Sequence, residues 1–384
     1  MEEWKEYKLG DILTIKYGKD HKQIADGDIP IYGSGGIMRY GECSLYDGPS
    51  ILISRKGSLN NIMFANNPFW TVDTMFWTII NKDIANPLFV YYSISKKDFA
   101  SLNVGSAVPS LTVPVIEAID ILLPSKETQE RIVAILKSLD DKIELNRKIN
   151  ANLEAQAQAL FKSWFVDFEP FKDQPFVESE LGMIPKGWKV GTVNDVCCFE
   201  SGFAFKSTTY KQEGEYRLIT IKNVQDGYLD VNGSVCLDEL PAKMPQYCLL
   251  RIGDILLSLT GNVGRCCFVD EERLLLNQRV AKLKPRIKNN WGYIYTMFRN
   301  PSFKDRVVSI ARGTAQANLS PIETSNMIII IPTDKVLEDF SAIVDESYRL
   351  MVDNMIESRR LASLRDTLLP RLMSGELKVN DINI

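Results

Sequence analysis

The sequence predicts an α+β protein with two globular domains, each followed by a long helix, and the two helices packed as an antiparallel coiled coil with pseudo-twofold symmetry. Three observations predict it: a sevenfold series of mostly apolar residues, recurrence of this series 208 residues later, and matching segments upstream of both copies. The two series are Ile132, Leu139, Asn146, Leu153, Leu160 and Phe340, Ser347, Asn354, Leu361, Leu368. Such a stripe must be buried against another helix, and each copy is the obvious partner of the other.

The duplication extends through the segments before the helices. The matching pairs are Trp4-Lys5 with Trp188-Lys189, Ile51 to Ser54 with Ile255 to Ser258, and Ile121 to Pro124 with Ile329 to Pro332. Their separation grows from 184 to 204 and then 208 residues, which indicates that the second copy has gained loops. The predicted segments are a first domain over 1–124, a helix over 125–164, a linker over 165–187, a second domain over 188–332, and a helix with a C-terminal tail over 333–384.

Short β-branched runs separated by Gly, Ser and Asn predict the strands. They are Ser50 to Ser54, Thr74 to Ile80, Ala118 to Leu123, Asp254 to Leu259, Gln278 to Leu283 and Met327 to Ile331. Shorter helices are predicted over Leu88 to Leu102 and Tyr293 to Val308.

Hydroxyl residues after prolines predict where the long helices begin. Pro124-Ser125 and Pro332-Thr333 each place a capping side chain before acidic residues, which favour a helix N-terminus. Pro370 is predicted to bend or end the second helix, and Gly375 to act as a later C-cap. Phe165 to Pro185 has three prolines and no apolar period, which predicts an extended linker.

Charge is unevenly distributed along the chain, whose net charge is −4. Only the second domain is basic, with 19 Lys and Arg against 14 Asp and Glu over 186–332, whereas residues 1–124 carry 11 against 14. Because phosphate neutralisation supplies most non-specific DNA affinity, the isolated chain is expected to bind DNA modestly, and a basic partner is expected to complete the clamp.

Several function classes find no support in the sequence. There is a single histidine, His21, and no phosphate-binding G-x-x-x-x-G-K-[ST] loop. Asn67-Pro68-Phe69-Trp70 resembles the tetrapeptide of amino-methyltransferases but lacks its second proline, and Gly33-Ser34-Gly35-Gly36 is interpreted as a plain loop. The seven cysteines fit neither a disulfide framework nor a zinc site. From these missing motifs we expect no catalytic, metal or cofactor site in the chain itself. Without a signal segment or a membrane-length apolar run, we expect a cytoplasmic protein.

Paired loops rich in side chains that can read base edges are the remaining candidates. One pair follows the strands ending near Ser54 and Ser258, and the other precedes the last strand of each domain. Arg can bond guanine O6 and N7, and Asn or Gln can bond adenine N6 and N7, although Gly, Ser and Asn are also ordinary turn residues. The candidate DNA-binding residues are Arg55, Lys56, Ser58, Asn60, Ser106, Ser110, Lys206, Lys222, Thr260, Asn262, Arg265, Arg312, Thr314, Gln316 and Asn318.

Three segments, together with this layout, resemble the specificity (S) subunit of type I restriction-modification systems. They are Leu160 to Phe168 (LFKSWFVDF), Leu181 to Trp188 (LGMIPKGW) and Leu369 to Leu377 (LPRLMSGEL). The resemblance covers essentially the whole chain. It implies two target recognition domains that each read one half of a split site in double-stranded DNA, with the helix pair setting the unread spacer.

The same resemblance implies the partners. The helices would dock two modification (M) subunits, which bind adenosylmethionine and methylate adenine. Restriction (R) subunits would add ATP- and Mg-dependent translocation and cleavage. This chain itself would bind no cofactor and would not be an enzyme. One feature departs from the family pattern: the first domain is acidic, so we expect it to make few contacts of its own with DNA phosphates. Two alternatives stay open: a self-sufficient DNA methyltransferase, and a coiled-coil scaffold that does not bind DNA.

The shared Asn146 and Asn354 give a further expectation for the helix pair. In an antiparallel pair equivalent residues meet only near the symmetry axis, so the two side chains are predicted to approach each other across the seam or share a water. The alternative is that each amide faces a partner or solvent. Changing both to Leu is expected to raise thermal stability while loosening the register.

Overall fold

The computed structural model describes residues 4–287, 290–313 and 317–379. The chain forms two compact units. The first contains the residues up to Lys142 and those from Leu361 onward, and the second runs from Ile143 to Arg360. Each combines small sheets with helices, so the predicted α+β class is confirmed.

The secondary structure follows the predicted order. The helices are α1 Leu9–Ile12, α2 Pro87–Ile94, α3 Val113–Glu117, α4 Lys126–Phe165, α5 Val193–Val196, α6 Trp291–Arg299, α7 Pro301–Ser309, α8 Pro321–Ser325 and α9 Asp334–Met373. The strands are β1 Lys5–Lys8, β2 Leu13–Tyr17, β3 Ile29–Gly33, β4 Gly36–Gly41, β5 Ser50–Ser54, β6 Met63–Ala65, β7 Trp70–Thr71, β8 Met75–Ile80, β9 Asp120–Leu123, β10 Phe176–Ser179, β11 Gly182–Pro185, β12 Lys189–Thr192, β13 Cys197–Ser201, β14 Tyr216–Ile219, β15 Cys236–Leu237, β16 Ile255–Ser258, β17 Cys266–Phe268, β18 Leu274–Leu276, β19 Val280–Pro285 and β20 Ile328–Ile331.

The sheets repeat in both copies. The first copy has a four-stranded sheet in the order β2-β8-β5-β6, a three-stranded sheet β4-β3-β7 and the pair β1-β9. The second has β13-β19-β16-β17, β15-β14-β18 and β12-β20, with the same parallel and antiparallel senses. The duplication predicted from scattered residue matches is therefore confirmed as a repeat of topology.

The strand β5 shows why the matching apolar runs are continuous rather than alternating. Ile51 and Ile53 pack into a core shared with α2 and the start of α4, whereas Leu52 packs into a second core with Phe69 and Trp77. A strand covered on both faces has no solvent side, so every residue is apolar or a buried serine. The counterpart β16 is buried in the same way.

Both long helices contain 40 residues, about 60 Å at 1.5 Å per residue. Residues 126–142 of α4 and 361–373 of α9 belong to the first unit, and residues 143–165 and 334–360 belong to the second. Within the second unit Asn146 bonds Asn354, Glu357 and Ser358, while Asn150, further along α4, bonds Met351 and Asn354. Increasing numbers on α4 meet decreasing numbers on α9, which confirms the antiparallel arrangement.

The expected approach of Asn146 and Asn354 is also confirmed. Asn146 is 1% exposed and Asn354 8%. The Asn146 Nδ2 atom lies 3.4 Å from the Asn354 carbonyl oxygen and donates to the Glu357 carboxylate at 2.7 Å. The Asn354 Nδ2 atom donates to the Asn150 Oδ1 atom at 2.9 Å. The two amides therefore meet through neighbouring polar groups and do not bond each other.

The prediction of an extended linker was wrong. Residues 165–187 contain a 3-10 turn at Glu169–Phe171 and the hairpin formed by β10 and β11. Phe171, Ile184 and Trp188 are buried together, with Trp164 and Phe165 packed against them. The aromatic residues of this segment form a small core, which the prediction missed because it was based on the prolines and the missing apolar period.

Pro370 does not end the second helix. The helix α9 continues to Met373, because Leu369 and Leu372 on either side of the proline are buried in the core of the first unit. Gly375 follows with a φ of 73°, and its N–H bonds the Leu372 carbonyl, as predicted for a C-cap.

The two shorter predicted helices are each broken. The first ends at Ile94 and is followed by a separate 3-10 turn at Phe99–Leu102, which the Asp98 side chain caps. The second is split into α6 and α7 at Asn300, since Pro301 has no N–H to continue α6 and favours the first position of a new helix.

Candidate nucleic-acid interface

Three chain segments of the first repeat meet at one end of its four-stranded sheet. Because neighbouring strands are antiparallel, the last residues of β2 and β5 and the first residue of β8 share an edge, and Ser54 pairs with Met75 there. We call this the recognition edge of the first domain. The predicted loops after β5 and before α3 both lie at it.

The structure brings the two predicted loops of the first domain together. Lys56 and Ser110 form an isolated antiparallel bridge. The Gly57 N–H donates to the Pro109 carbonyl at 3.1 Å, and the Leu111 N–H donates to the Arg55 carbonyl at 2.9 Å. The two loops therefore form a single backbone-linked surface.

The second domain repeats this connection at equivalent positions. Thr260 and Asn318 form the matching bridge. The Gly261 N–H donates to the Ala317 carbonyl at 2.9 Å, and the Leu319 N–H donates to the Leu259 carbonyl at 2.7 Å. The recognition edge of the second domain lies at the ends of β13 and β16 and the start of β19, where Ser258 pairs with Val280.

In the first domain the candidate side chains differ in how free they are. Lys56, Ser58 and Ser106 are exposed, and Ser110 is half-buried with its N–H bonded to the Asn103 side chain. The Arg55 guanidinium lies over the Tyr17 ring, 5.4 Å from its centre, and donates to the Asp73 carbonyl at 3.2 Å. Arg55 is thus held at the recognition edge, and one of its guanidinium N–H groups is already hydrogen-bonded.

Asn60 is a weaker candidate than the sequence suggested. Its Nδ2 atom donates to the Asp98 carboxylate at 3.1 Å, and its Oδ1 atom accepts from the Ala100 N–H at 2.8 Å. Both ends of the amide therefore serve the adjacent 3-10 turn, and reading adenine would require breaking those bonds.

In the second domain four candidates hold the loops in place. The Thr260 hydroxyl bonds the Asn318 Oδ1 atom at 3.0 Å, across the bridge. Arg265 bonds the Gln225 side chain, and exposed Arg312 pairs with Glu323. These contacts fix the edge, and they leave fewer donors for a ligand.

Three other candidates of this domain are exposed. Asn262 lies at the tip of the loop after β16, and its carbonyl accepts from the Ser258 hydroxyl. Lys206 and Lys222 are exposed in the loops before and after β14. None of their side chains forms a hydrogen bond or ion pair within residues 4–287, 290–313 and 317–379. The predicted candidates Thr314 and Gln316 lie outside the described residues.

A network of charges supports the loop between β14 and β15, which carries Gln225. Asp226 pairs with Arg299 at the end of α6 and with Lys304 on α7, the latter at 2.7 Å. Burial of Asp226 disfavours its charged form, but the hydrogen bond from Lys304 and the charge of Arg299 outweigh it and hold the pKa below its ordinary value. Glu154 on α4 accepts from Arg299 at 2.6 Å and links this network to the long helix.

The residues for which the sequence predicted no catalytic or metal-binding role are part of the folded structure. Phe69 of the tetrapeptide Asn67 to Trp70 is fully buried against Tyr46 and Trp77. Gly33 to Gly36 forms the turn between β3 and β4, and the Asn61 side chain bonds the Ser34 carbonyl there. The half-buried His21 accepts hydrogen bonds from Arg39. The seven cysteines are free thiols, and all but Cys43 and Cys198 are buried.

Among the described residues, no group of three or more His, Cys, Asp and Glu side chains could hold a metal ion. The helices of the same residues lack an apolar stretch of the length that a bilayer requires.

Sequence reasoning missed the polar residues just before β8 and β19. Strand β19 begins at Val280, not at Gln278, so Gln278 and Arg279 lie at the recognition edge rather than inside the strand. The equivalent residue in the first domain is Thr74, because Ser54 pairs with Met75 as Ser258 pairs with Val280.

Comparison with known proteins gives consistent matches along the chain. Residues 1–155 and 185–344 match the family described as type I restriction modification DNA specificity domain. The type I restriction enzyme MjaIX specificity subunit of Methanocaldococcus jannaschii is 29% identical, over 99% of this chain and 95% of the relative. The HindI specificity subunit of Haemophilus influenzae is 24% identical, over 98% and 100%.

A solved structure has the same fold. The crystal structure of a type I restriction-modification system S subunit from M. genitalium aligns with a TM-score of 0.59 at 16% identity, covering 97% of this chain and 96% of that one.

Proposed function

The chain belongs to the type I restriction modification DNA specificity family, and we propose that its two recognition edges each read one half of a split DNA sequence. The chain is a specificity subunit and not itself a catalyst. The observation that carries the proposal is the twofold occurrence of the same construction: two loops bridged at the same sheet edge, with matching backbone hydrogen bonds in each domain.

The chemistry of the edges suits a DNA duplex. A rigid backbone presents guanidinium, amide, hydroxyl and ammonium groups, which are the groups that bond base edges and phosphates. The side chains differ between the domains while the scaffold is shared, so each domain would select a different short sequence. The DNA between the two half-sites would be held without being read.

Partner subunits would supply the chemistry. We propose that two M subunits dock on the long helices, carry adenosylmethionine and methylate adenine, and that R subunits add ATP- and Mg-dependent cleavage. Exposed apolar residues support docking on α9: Ile343 and Leu350, seven residues apart on this helix, are 53% and 46% exposed. These two residues are separate from Phe340 and Tyr348 of the same helix, which are buried.

The test compares three samples: this chain alone, an M subunit alone, and the two together. Methylated adenines are mapped by modification-sensitive sequencing of random duplexes. We expect methylation at one bipartite sequence, and only when both proteins are present. Methyl transfer and tight adenosylmethionine binding by the chain alone would support the methyltransferase alternative. A complex that selects no sequence would support the scaffold alternative. No feature of the structure favours either.

A further inference from the structure

Backbone hydrogen bonds hold the turn at Asn277–Arg279, directly before β19, at the recognition edge of the second domain. The Gln278 N–H donates to the Phe203 carbonyl at 3.0 Å, and the Leu259 N–H donates to the Arg279 carbonyl at 3.1 Å. The Val280 N–H closes the turn on the Asn277 carbonyl at 2.9 Å. The backbone is thus fixed from the strand ends on both sides.

Close packing against a glycine fixes the same turn further. Gly202 lies so near the Asn277 carbonyl that a Cβ at position 202 would overlap it. In the first domain Gly18 packs in the same way against the Val72 carbonyl, beside the matching turn at residues 72–74. Both repeats therefore hold this turn rigidly at their recognition edge.

The side chains of the turn are free although its backbone is not. Gln278 and Arg279 are both exposed, and neither side chain forms a hydrogen bond or ion pair with the described part of the chain. By contrast, Arg265 and Arg312 at the same edge are paired with Gln225 and Glu323. Among the described residues, therefore, neither the Arg279 guanidinium nor the Gln278 amide has a partner that it holds in place, although the backbone beneath them is fixed.

We propose that Gln278 and Arg279 are specificity-determining residues that read purine edges in the half-site bound by the second domain. Arg279 would bond guanine O6 and N7, and Gln278 would bond adenine N6 and N7, from the major groove. A fixed backbone beneath free side chains lowers the ordering cost of binding and holds the readers in register. The inference rests on the proposed function and names the residues that carry it in one domain.

The first domain offers different chemistry at the same turn. Asp73 and Thr74 occupy the positions of Gln278 and Arg279, and Asp73 is exposed. A carboxylate accepts from the cytosine N4 amino group and is repelled by phosphates, so this turn would select other bases than the second domain does. One scaffold with exchangeable turn residues accounts for two different half-sites.

The test uses the chain in complex with an M subunit and selects sequences from random duplexes by methylation. We expect Arg279→Ala to reduce discrimination at one base pair of one half-site by roughly 5- to 150-fold, with the other half-site unchanged. Gln278→Ala should do the same at a second base pair of that half-site. Arg279→Lys should keep overall affinity and weaken the guanine preference, because an ammonium lacks the rigid planar fork that matches guanine O6 and N7.

The matched control is Arg251→Ala. Arg251 is exposed just before β16 begins, whereas the recognition edge lies where β16 ends, so the selected sequence should not change. Unchanged discrimination in Arg279→Ala and Gln278→Ala, while wild type selects a bipartite sequence, would overturn this inference alone. A wild-type complex that selects no sequence would overturn the proposed function and this inference with it.

Discussion

Individual side chains at the recognition edges divide into those that hold the loops and those that face solvent. In the second domain Thr260 bonds Asn318, and Arg265 bonds Gln225 in the loop between β14 and β15. Asn262 is exposed at the loop tip and unpaired among the described residues. The first group should matter mainly for stability, and Asn262 mainly for binding.

For Asn262 we expect altered sequence preference without loss of stability. Asn262→Ala should change preference within one half-site and cost about 1 to 3 kcal/mol of binding free energy, because an amide bidentate to adenine is lost. The measurement is DNA binding by the complex across single-base variants of the selected site. Lys206→Ala and Lys222→Ala are the comparison, since loss of a phosphate contact should weaken all sequences alike. If Asn262→Ala weakened the binding of every sequence equally, Asn262 would contact phosphates or only shape the turn, and would not read a base.

Asp226 should show a pH-dependent contribution to stability. Its pKa is lowered in the folded chain, so its stabilising effect is present above the unfolded-state pKa and is lost as pH falls through the folded-state pKa. Asp226→Asn should therefore lower the melting temperature at neutral pH, and the difference from wild type should shrink in acid. Thermal unfolding at several pH values measures this. Asp305→Asn, at an exposed position on α7, is the control. A difference that is constant with pH would contradict the proposed ion pairs.

In each repeat a side-chain hydrogen bond joins a short helix to a long helix, but the two repeats use different residues for it. The Tyr92 hydroxyl on α2 donates to the Asp140 carboxylate on α4 at 2.6 Å. At the matching positions the Thr296 hydroxyl on α6 lies 2.7 Å from the Tyr348 hydroxyl on α9. The phenol has moved from the short helix to the long one, and the hydrogen bond between them is kept. The element contact, not the residue, is what the repeat preserves.

The asparagine cluster of the helix pair changes one expectation from the sequence. Replacing both Asn146 and Asn354 with Leu was expected to raise stability, as removal of buried polar groups often does. The structure shows that these amides donate to Glu357, Ser358 and Asn150, which would be left without those partners.

We therefore expect the double variant Asn146→Leu, Asn354→Leu to lower the free energy of unfolding by roughly 1 to 3 kcal/mol. Denaturant unfolding measures the change, and Asn152→Leu, at an exposed position of α4, is the control. Because the cluster fixes the register of the helices, the complex should also accept a wider range of spacer lengths. A rise in stability with an unchanged spacer would show that the cluster does not set the register.

For the whole molecule, the topological repeat predicts independent readers. Residues 1–124 end after β9, just before α4 begins at Lys126. Replacing them with the matching domain of a relative should change one half-site and leave the other intact, as measured by methylation mapping of the complex. The donor should retain the residues that pack on Leu369, Leu372 and Gly375, as Trp4 does on the last. Changes in both half-sites would argue against separate readers.

Much of this architecture was determined by the sequence itself. The sevenfold spacing predicted both long helices to within a few residues, and the buried strands β5 and β16 were predicted from apolar runs such as Ile51 to Ile53. These features follow from local periodicity and from burial of whole faces, which a sequence displays directly.

The tertiary structure alone decided which residues meet and which remain free. The sequence contained both loops of each pair but not the bridge from Thr260 to Asn318, which depends on where strands far apart in the chain end. It could not separate Asn60 from Asn262. The side-chain amide of Asn60 is hydrogen-bonded at both ends, whereas that of Asn262 is exposed and has no partner among the described residues. Nor did it reveal Gln278 and Arg279 at the edge, because strand boundaries are set by pairing with a neighbour. Hydrogen-bond partners depend on long-range geometry, and that geometry separates a residue that holds the fold from one that can read DNA.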